Sequence, residues 1–501
     1  MPSPEGPVPD LGGLLHPILL TSLSWLGLLG VLVAGASWWL SRHPTHIFER
    51  ARATVLRSAE NDAAEPTARR FLRVALGLLW MVDGALQARG DVPAGFRRGP
   101  LAEGLASSPA WFSDALAPLV RVWTWHPVVA DATTVWVQIG LGILLLAVRD
   151  GRVLQLAVAA SAAWSLLVWV AGEFAGGLLA PGAGWLTGAP GAALLYVVGA
   201  ALLLLPWDWW TSGRVATLVR RWAGLWLLLG AVLQALPWET WWTGEGLSAP
   251  FNEAASNDQP GFLSRPIAAL ADLAAAHPAG VNGVLVAVLT VLGVALLLTR
   301  SSAVVTAAIV LCGATWWLAQ DFGVLEPAAT DPNAALPLGL LLACALRVWE
   351  VPPRATDRAT EPASRSSTVR ATLVAGFAAV GVGALLAPLA VVGTLLGPAD
   401  SAALAADSGG LVLLPPRPVP DFRLTDQNGL TVTQTNLRGR LTVLTFLDPV
   451  CSDDCPLIAN QLAAANEAVG ELAGQLQIVA IDSNPVFTRV ADVQAFTRSH
   501  G

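Results

Sequence analysis

Cys451 and Cys455, with three residues between them, stand in the stretch LTVLTFLDPVCSDDCP, Leu441–Pro456. Two thiols at that spacing on a helical first turn close a disulfide, or converge two soft sulfurs on a metal such as Cu(I). Free amides and the positive end of a helix favour a thiolate there. Asp448, Asp453 and Asp454 crowd the same loop. Their charge opposes a free thiolate and favours a bound cation. A structural disulfide of an exported domain is the plainer reading of the pair. The other two cysteines, Cys312 and Cys344, lie inside apolar runs and read as small core residues.

Further candidates sit in apolar segments. Asp83 interrupts one, beside Trp80 and Gln87. An intramembrane carboxylate is costly to bury, so it is a functional candidate, with a hydrogen bond to a facing helix as the alternative. His126 and His277 each precede a proline. They read as helix-start residues, with a metal, haem or quinone contact as the sharper alternative. Glu173 and Asp321 fall near segment ends and are expected to be solvated.

The elements that must position the cysteine pair follow from local pattern. Leu441–Leu447 is an apolar, β-branched run of buried-strand type. Leu457–Leu472 has helical periodicity, Gln477–Ile481 is a second buried strand, and Thr488–Ser499 begins another helix. Upstream, Asp426-Gln427-Asn428-Gly429 marks a hairpin turn. A βαβ unit results, with the cysteines outside the carboxyl end of its first strand.

The rest of the 501 residues has membrane-protein composition: 13% charged residues and a mean hydropathy of +0.57. Lys is absent, the net charge is −7, and no basic stripe offers a nucleic-acid footprint. Ten spans are predicted, at Leu14–Leu40, Phe71–Ala88, Val128–Val148, Val153–Phe174, Ala189–Pro206, Trp222–Leu236, Val281–Leu298, Ala303–Ala319, Ala334–Val348 and Ala371–Leu396. Trp clusters at Trp38-Trp39, Trp207/Trp209/Trp210 and Trp238/Trp241/Trp242 suit the headgroup level. Arg42, Arg50, Arg52, Arg57, Arg69 and Arg70 follow the first span, and alternate loops stay Arg-rich. By the positive-inside rule those loops are cytoplasmic. The protein is then a multi-pass cell-membrane protein in contact with lipid, with its N-terminus and final domain extracytoplasmic. The first span reads as an uncleaved anchor.

The middle of the chain repeats itself. Arg73–Ala88 (RVALGLLWMVDGALQA) resembles Arg221–Ala235 (RWAGLWLLLGAVLQA), and Pro109–Pro127 resembles Pro260–Pro278. WVAGEF at Trp169–Phe174 aligns with WLAQDF at Trp317–Phe322, and Gly230 or a neighbour stands where Asp83 is. The expected organisation is therefore an N-terminal anchor and basic loop over 1–70, four-helix membrane repeats over 71–210 and 220–350, and a last transmembrane helix over 371–396. A Pro/Gly/Ala linker over 397–418 and a soluble domain over 419–501 complete it.

Two resemblances attach to these stretches. The four-span units, with Gly77–Gly84 (GLLWMVDG) and Leu186–Leu195 (LTGAPGAALL), resemble the DoxX-like membrane family. That implies a link to quinone or thiol redox chemistry. Pro420–Gly429 (PDFRLTDQNG), Leu437–Pro456 and Leu476–Pro485 (LQIVAIDSNP) resemble the SCO/SenC proteins, a membrane-anchored thioredoxin-fold group. This second resemblance implies that Cys451 and Cys455 are thiolate ligands of Cu(I). It further implies a role in delivering copper to a cytochrome c oxidase subunit, or in keeping that subunit or another extracytoplasmic thiol protein reduced. The family's third ligand is a histidine late in the fold, so the domain is expected to be truncated at Gly501. The fold class expected is a mainly α-helical polytopic membrane protein with a C-terminal α/β thioredoxin-like domain. Its action is that of a metallochaperone or a membrane thiol–disulfide oxidoreductase. A quinone-reactive or transporting helical unit with an accessory redoxin domain is the remaining alternative.

Overall fold

A computed structural model of the chain describes residues 11–42, 65–237, 239–326, 328–346, 373–386, 421–450, 454–468, 475–483 and 489–500. Cys451, Asp453, Trp238, Arg50, Arg52, Arg57 and the 397–418 linker lie outside them. The chain divides into two compact units, Met1–Leu411 and Val412–Gly501.

The first unit is helical. Among the described residues, five helical segments are long and apolar enough to cross a membrane: Leu15–Ala36, Pro127–Ala147, Gly151–Gly172, Arg214–Ala235 and Pro278–Leu298. Thr67–Gln87 is as long, with 21 residues, but carries Arg69, Arg70, Arg73 and Asp83. Three other apolar helices are shorter: Ala192–Leu203, Ser302–Leu318 and Leu373–Leu386. At ~1.5 Å per residue, Ala192–Leu203 rises about 18 Å, short of a ~30 Å hydrocarbon core. Gly191, at φ 102°, starts this helix late and so shortens the span expected from Ala189. Likewise, of the described residues 334–346 in the expected 334–348 span, Ala335–Ala343 form the α-helix.

Lipid tails are as apolar as leucine, so helix association there relies on close packing rather than on burial from water. Gly77 and Gly142 supply it between Thr67–Gln87 and Pro127–Ala147. A Cβ added at Gly142 would stand 2.8 Å from the Gly77 carbonyl oxygen. Gly224 and Gly293 do the same between Arg214–Ala235 and Pro278–Leu298, with a Gly224 Cβ 2.8 Å from the Gly293 oxygen. Around these contacts Leu76, Leu145, Leu195, Leu227, Leu296 and Leu342 belong to one continuous buried cluster.

Other contacts recur in the same paired way. Arg73 Nη1 donates to the Leu145 carbonyl, and Arg220 Nη1 donates to that of Leu296. Gln87 donates to Asp131, and Asn282 donates to the Gln234 carbonyl. Trp169 Nε1 donates to the Pro190 carbonyl and Trp316 Nε1 to that of Pro332, both at 2.8 Å or less, so this contact recurs one residue before Trp317, which the sequence alignment pairs with Trp169. His126 and His277 sit at the joints before Pro127 and Pro278, with φ/ψ of −131°/67° and −135°/53°. Proline at the first helical position needs no N–H partner, so a helix-start role accounts for both joints.

The second unit holds two small sheets. Arg423–Thr425 pairs antiparallel with Thr431–Thr433. Leu441–Leu447 pairs parallel with Leu476–Asp482, in a register that sets Leu447 opposite Asp482. The helix Asp454–Ala468 lies between the parallel strands in sequence, and Val490–His500 follows them. The βαβ unit read from the sequence is present. Parallel strands are ordinarily covered on both faces. Here Leu447 is buried, whereas Leu444 and Phe446 on the opposite face are exposed.

Candidate functional site

The cysteine loop is built from the end of Leu441–Leu447. Its last residues stay tied to the second strand, since the Ser483 N–H donates to the Leu447 carbonyl at 3.0 Å. Asp448 then turns the chain, its Oδ1 accepting from the Val450 N–H at 2.9 Å. Cys455 is the second residue of Asp454–Ala468, so its sulfur stands where the helix leaves backbone amides without intrahelical partners. The Asp448 N–H points at that sulfur, 3.3 Å away. Cys455 is half-buried. A half-buried sulfur that accepts from an amide at a helix start suits the anionic thiolate, the form that binds metal and attacks disulfides. Among the described residues no cluster of three or more His, Cys, Asp or Glu side chains is arranged to hold a metal ion.

The other candidates resolve differently. Cys312 and Cys344 are buried, as expected of core residues. Asp83 is 2% exposed and accepts from the Tyr196 hydroxyl at 3.1 Å. Tyr196 is held in turn by the edge of Trp80, ring centroids 4.9 Å apart, and Trp80 Nε1 donates to Ser161. The expectation that Glu173 and Asp321 are solvated is corrected. Both segments fold back instead of running out into water, because Phe174 and Phe322 take left-handed backbone angles of φ 50° and 58°. Glu173 Oε1 accepts from the Ala193 N–H at 2.9 Å, and its Oε2 is buried without a partner. Asp321 is fully buried and accepts from Asn257 at 2.8 Å and Gln259 at 3.1 Å. Burial pushes its carboxyl up, against those two donors.

The segment after Asp321 is acidic. Burial first, then the charges of Glu253, Asp331 and Asp321, push the Glu326 carboxyl up to about 7. Burial also raises Asp331, whose side chain accepts from the Asn333 N–H at 2.7 Å. Neither residue was legible as a half-buried acid, because its cover comes from elements distant in sequence. At the start of Thr67–Gln87, Glu65 bridges Arg69 at 2.6 Å and Arg73 at 2.9 Å.

A family model described as SCO1/SenC matches residues 414–501, the stretch that carries the βαβ unit and both loop cysteines. The match does not extend into the helical unit. No curated protein and no solved structure matches the chain.

Proposed function

We propose that this chain is a membrane-anchored SCO-like protein that binds Cu(I) and exchanges thiol and disulfide through Cys451 and Cys455 on the extracytoplasmic side. The observation that carries the reading is the Cys455 sulfur at a helix start, accepting from the Asp448 N–H within the matched segment. That sulfur is a soft anionic donor of the kind Cu(I) selects. Cys451 stands four residues before it in sequence and is the natural second thiolate. Copper is cargo here, handed to a cytochrome c oxidase subunit or to another extracytoplasmic thiol protein.

The tandem of membrane repeats, DoxX-like in sequence, is the anchor in this reading and a place for quinone contact. The recurrent Arg–carbonyl, Trp–carbonyl and glycine contacts support the tandem. The Arg-rich alternate loops support an outside C-terminus. Anaerobic titration of the full chain in detergent with Cu(I), against a competing chelator, tests the assignment. One tightly held Cu(I) per chain is expected, lost when both cysteines are changed to Ser. Absence of stoichiometric binding sinks the copper reading. Turnover of a protein disulfide without copper binding would instead favour the thiol–disulfide oxidoreductase.

A further inference from the structure

The first unit holds a partly open cavity of about 310 Å³ that the copper reading does not use. That is at the small end of ligand-site sizes. The indoles of Trp80, Trp123 and Trp164 and the Tyr196 ring line it. Three carboxylates converge on the same space: Asp83, Glu173 and Asp331. No Arg, Lys or His is among the described residues that line it. Arg89, two residues beyond the lining residue Gln87, is engaged with Asp91 at 2.9 Å.

The wall is also short of partners. Gln138 is 4% exposed, and its Oε1 has none among the described residues. The same holds for Glu173 Oε2. Buried polar atoms in folded proteins are ordinarily paired, so a cavity edged by unpaired acceptors is a site built for something that donates or is positive. The indole N–H groups of Trp123 and Trp164 are likewise unpaired and can meet an oxygen on the same guest. Aromatic faces attract a cation by their quadrupole, most strongly when water is excluded.

The second repeat has no carboxylate at the place of Asp83. Gly230 stands where Asp83 does, and a Cβ there would meet the Trp185 ring at 3.0 Å. The Trp185 indole is pinned by a 2.8 Å hydrogen bond to Thr315. Trp185 therefore occupies this place in the second repeat, whereas the first repeat keeps a carboxylate and an open space.

We propose that this cavity binds a hydrophobic organic cation, an amine or quaternary ammonium with an aryl or alkyl body, held between the carboxylates of Asp83 and Glu173 and the surrounding aromatic rings. The site is independent of the cysteine loop, so failure of the copper reading leaves it standing and its own failure leaves that reading standing.

The test is equilibrium dialysis of radiolabelled benzyltrimethylammonium against the full chain in a non-ionic detergent. Saturable binding of one cation per chain is expected. Asp83→Asn and Glu173→Gln should each weaken it by about tenfold or more, as for a buried charge pair losing one member. Neopentylbenzene, the neutral isostere of the probe, should not compete. Absence of saturable binding overturns the proposal. So does equal competition by neopentylbenzene, which would make the cavity a site for neutral molecules. Both of these outcomes are read on the unaltered protein and do not depend on the variants folding.

Discussion

Replacing Glu326 by Gln isolates one half-buried carboxyl and carries a definite sign. In the folded protein burial and three acidic neighbours hold Glu326 at about 7, against an ordinary value of 4.5. The folded state then keeps a proton that the unfolded chain releases between those two values. Stability falls with rising pH wherever the folded state binds more protons. The loss is absent below 4.5, grows between 4.5 and about 7, and is complete above that. At ~1.4 kcal/mol per pH unit the full loss is at most about 3 kcal/mol, and water reaching this loop reduces it. Glu326→Gln removes the ionisation and keeps the shape. The Arg89 hydrogen bond to residue 326 goes to its backbone carbonyl and survives the change. Melting followed by tryptophan fluorescence, near pH 4 and near pH 8.5, is the assay. The variant should match the parent at the acid end and melt a few degrees higher at the alkaline end, at roughly 2–4 °C per kcal/mol or less for a chain this long. A difference of the same size at both pH values would refute the reasoning.

Other outcomes follow from buried contacts. Glu65→Ala leaves the buried Arg69 and Arg73 guanidiniums without their carboxylate and should cost about 3–5 kcal/mol in denaturant unfolding. Gly142→Ala drives a methyl to 2.8 Å from the Gly77 carbonyl oxygen and should cost about 1–3 kcal/mol by the same measurement. Gly283→Ala, with nothing within 4 Å of the added carbon, should be neutral or stabilise by up to ~1 kcal/mol. Tyr196→Phe strips Asp83 of its hydroxyl donor and should lower the melting temperature, at about 1–3 kcal/mol.

The sequence made the second unit readable where pattern and chemistry coincide. The β-branched Leu441–Leu447 and the apolar Leu476–Asp482 are strands, and Cys455 opens the helix between them. The long helices of the first unit were readable as apolar runs, but their ends were not. Gly191 delays the start of the span expected at Ala189–Pro206, and the helix runs only from Ala192 to Leu203. The helices Ala110–Trp125, Gly244–Ser256 and Gly261–Ala276 were not anticipated, although the repeat that includes two of them was seen. Burial of Glu173 and Asp321 was misjudged because hydropathy treats the end of an apolar run as the start of water. Two phenylalanines with left-handed backbone angles fold these segments back, and no local rule asks for that conformation at Phe. The carboxylate-edged cavity was hidden for a related reason. Asp83, Glu173 and Asp331 are far apart in sequence and meet only in the packed unit.

Copper held on two cysteine sulfurs is read most directly by X-ray absorption at the copper edge. The full chain loaded anaerobically with one equivalent of Cu(I) should show two sulfur ligands. Cys455→Ser should replace one of them by a lighter atom and release the metal to a chelator. A spectrum with only nitrogen and oxygen around copper, or one unchanged in Cys455→Ser, would contradict the account.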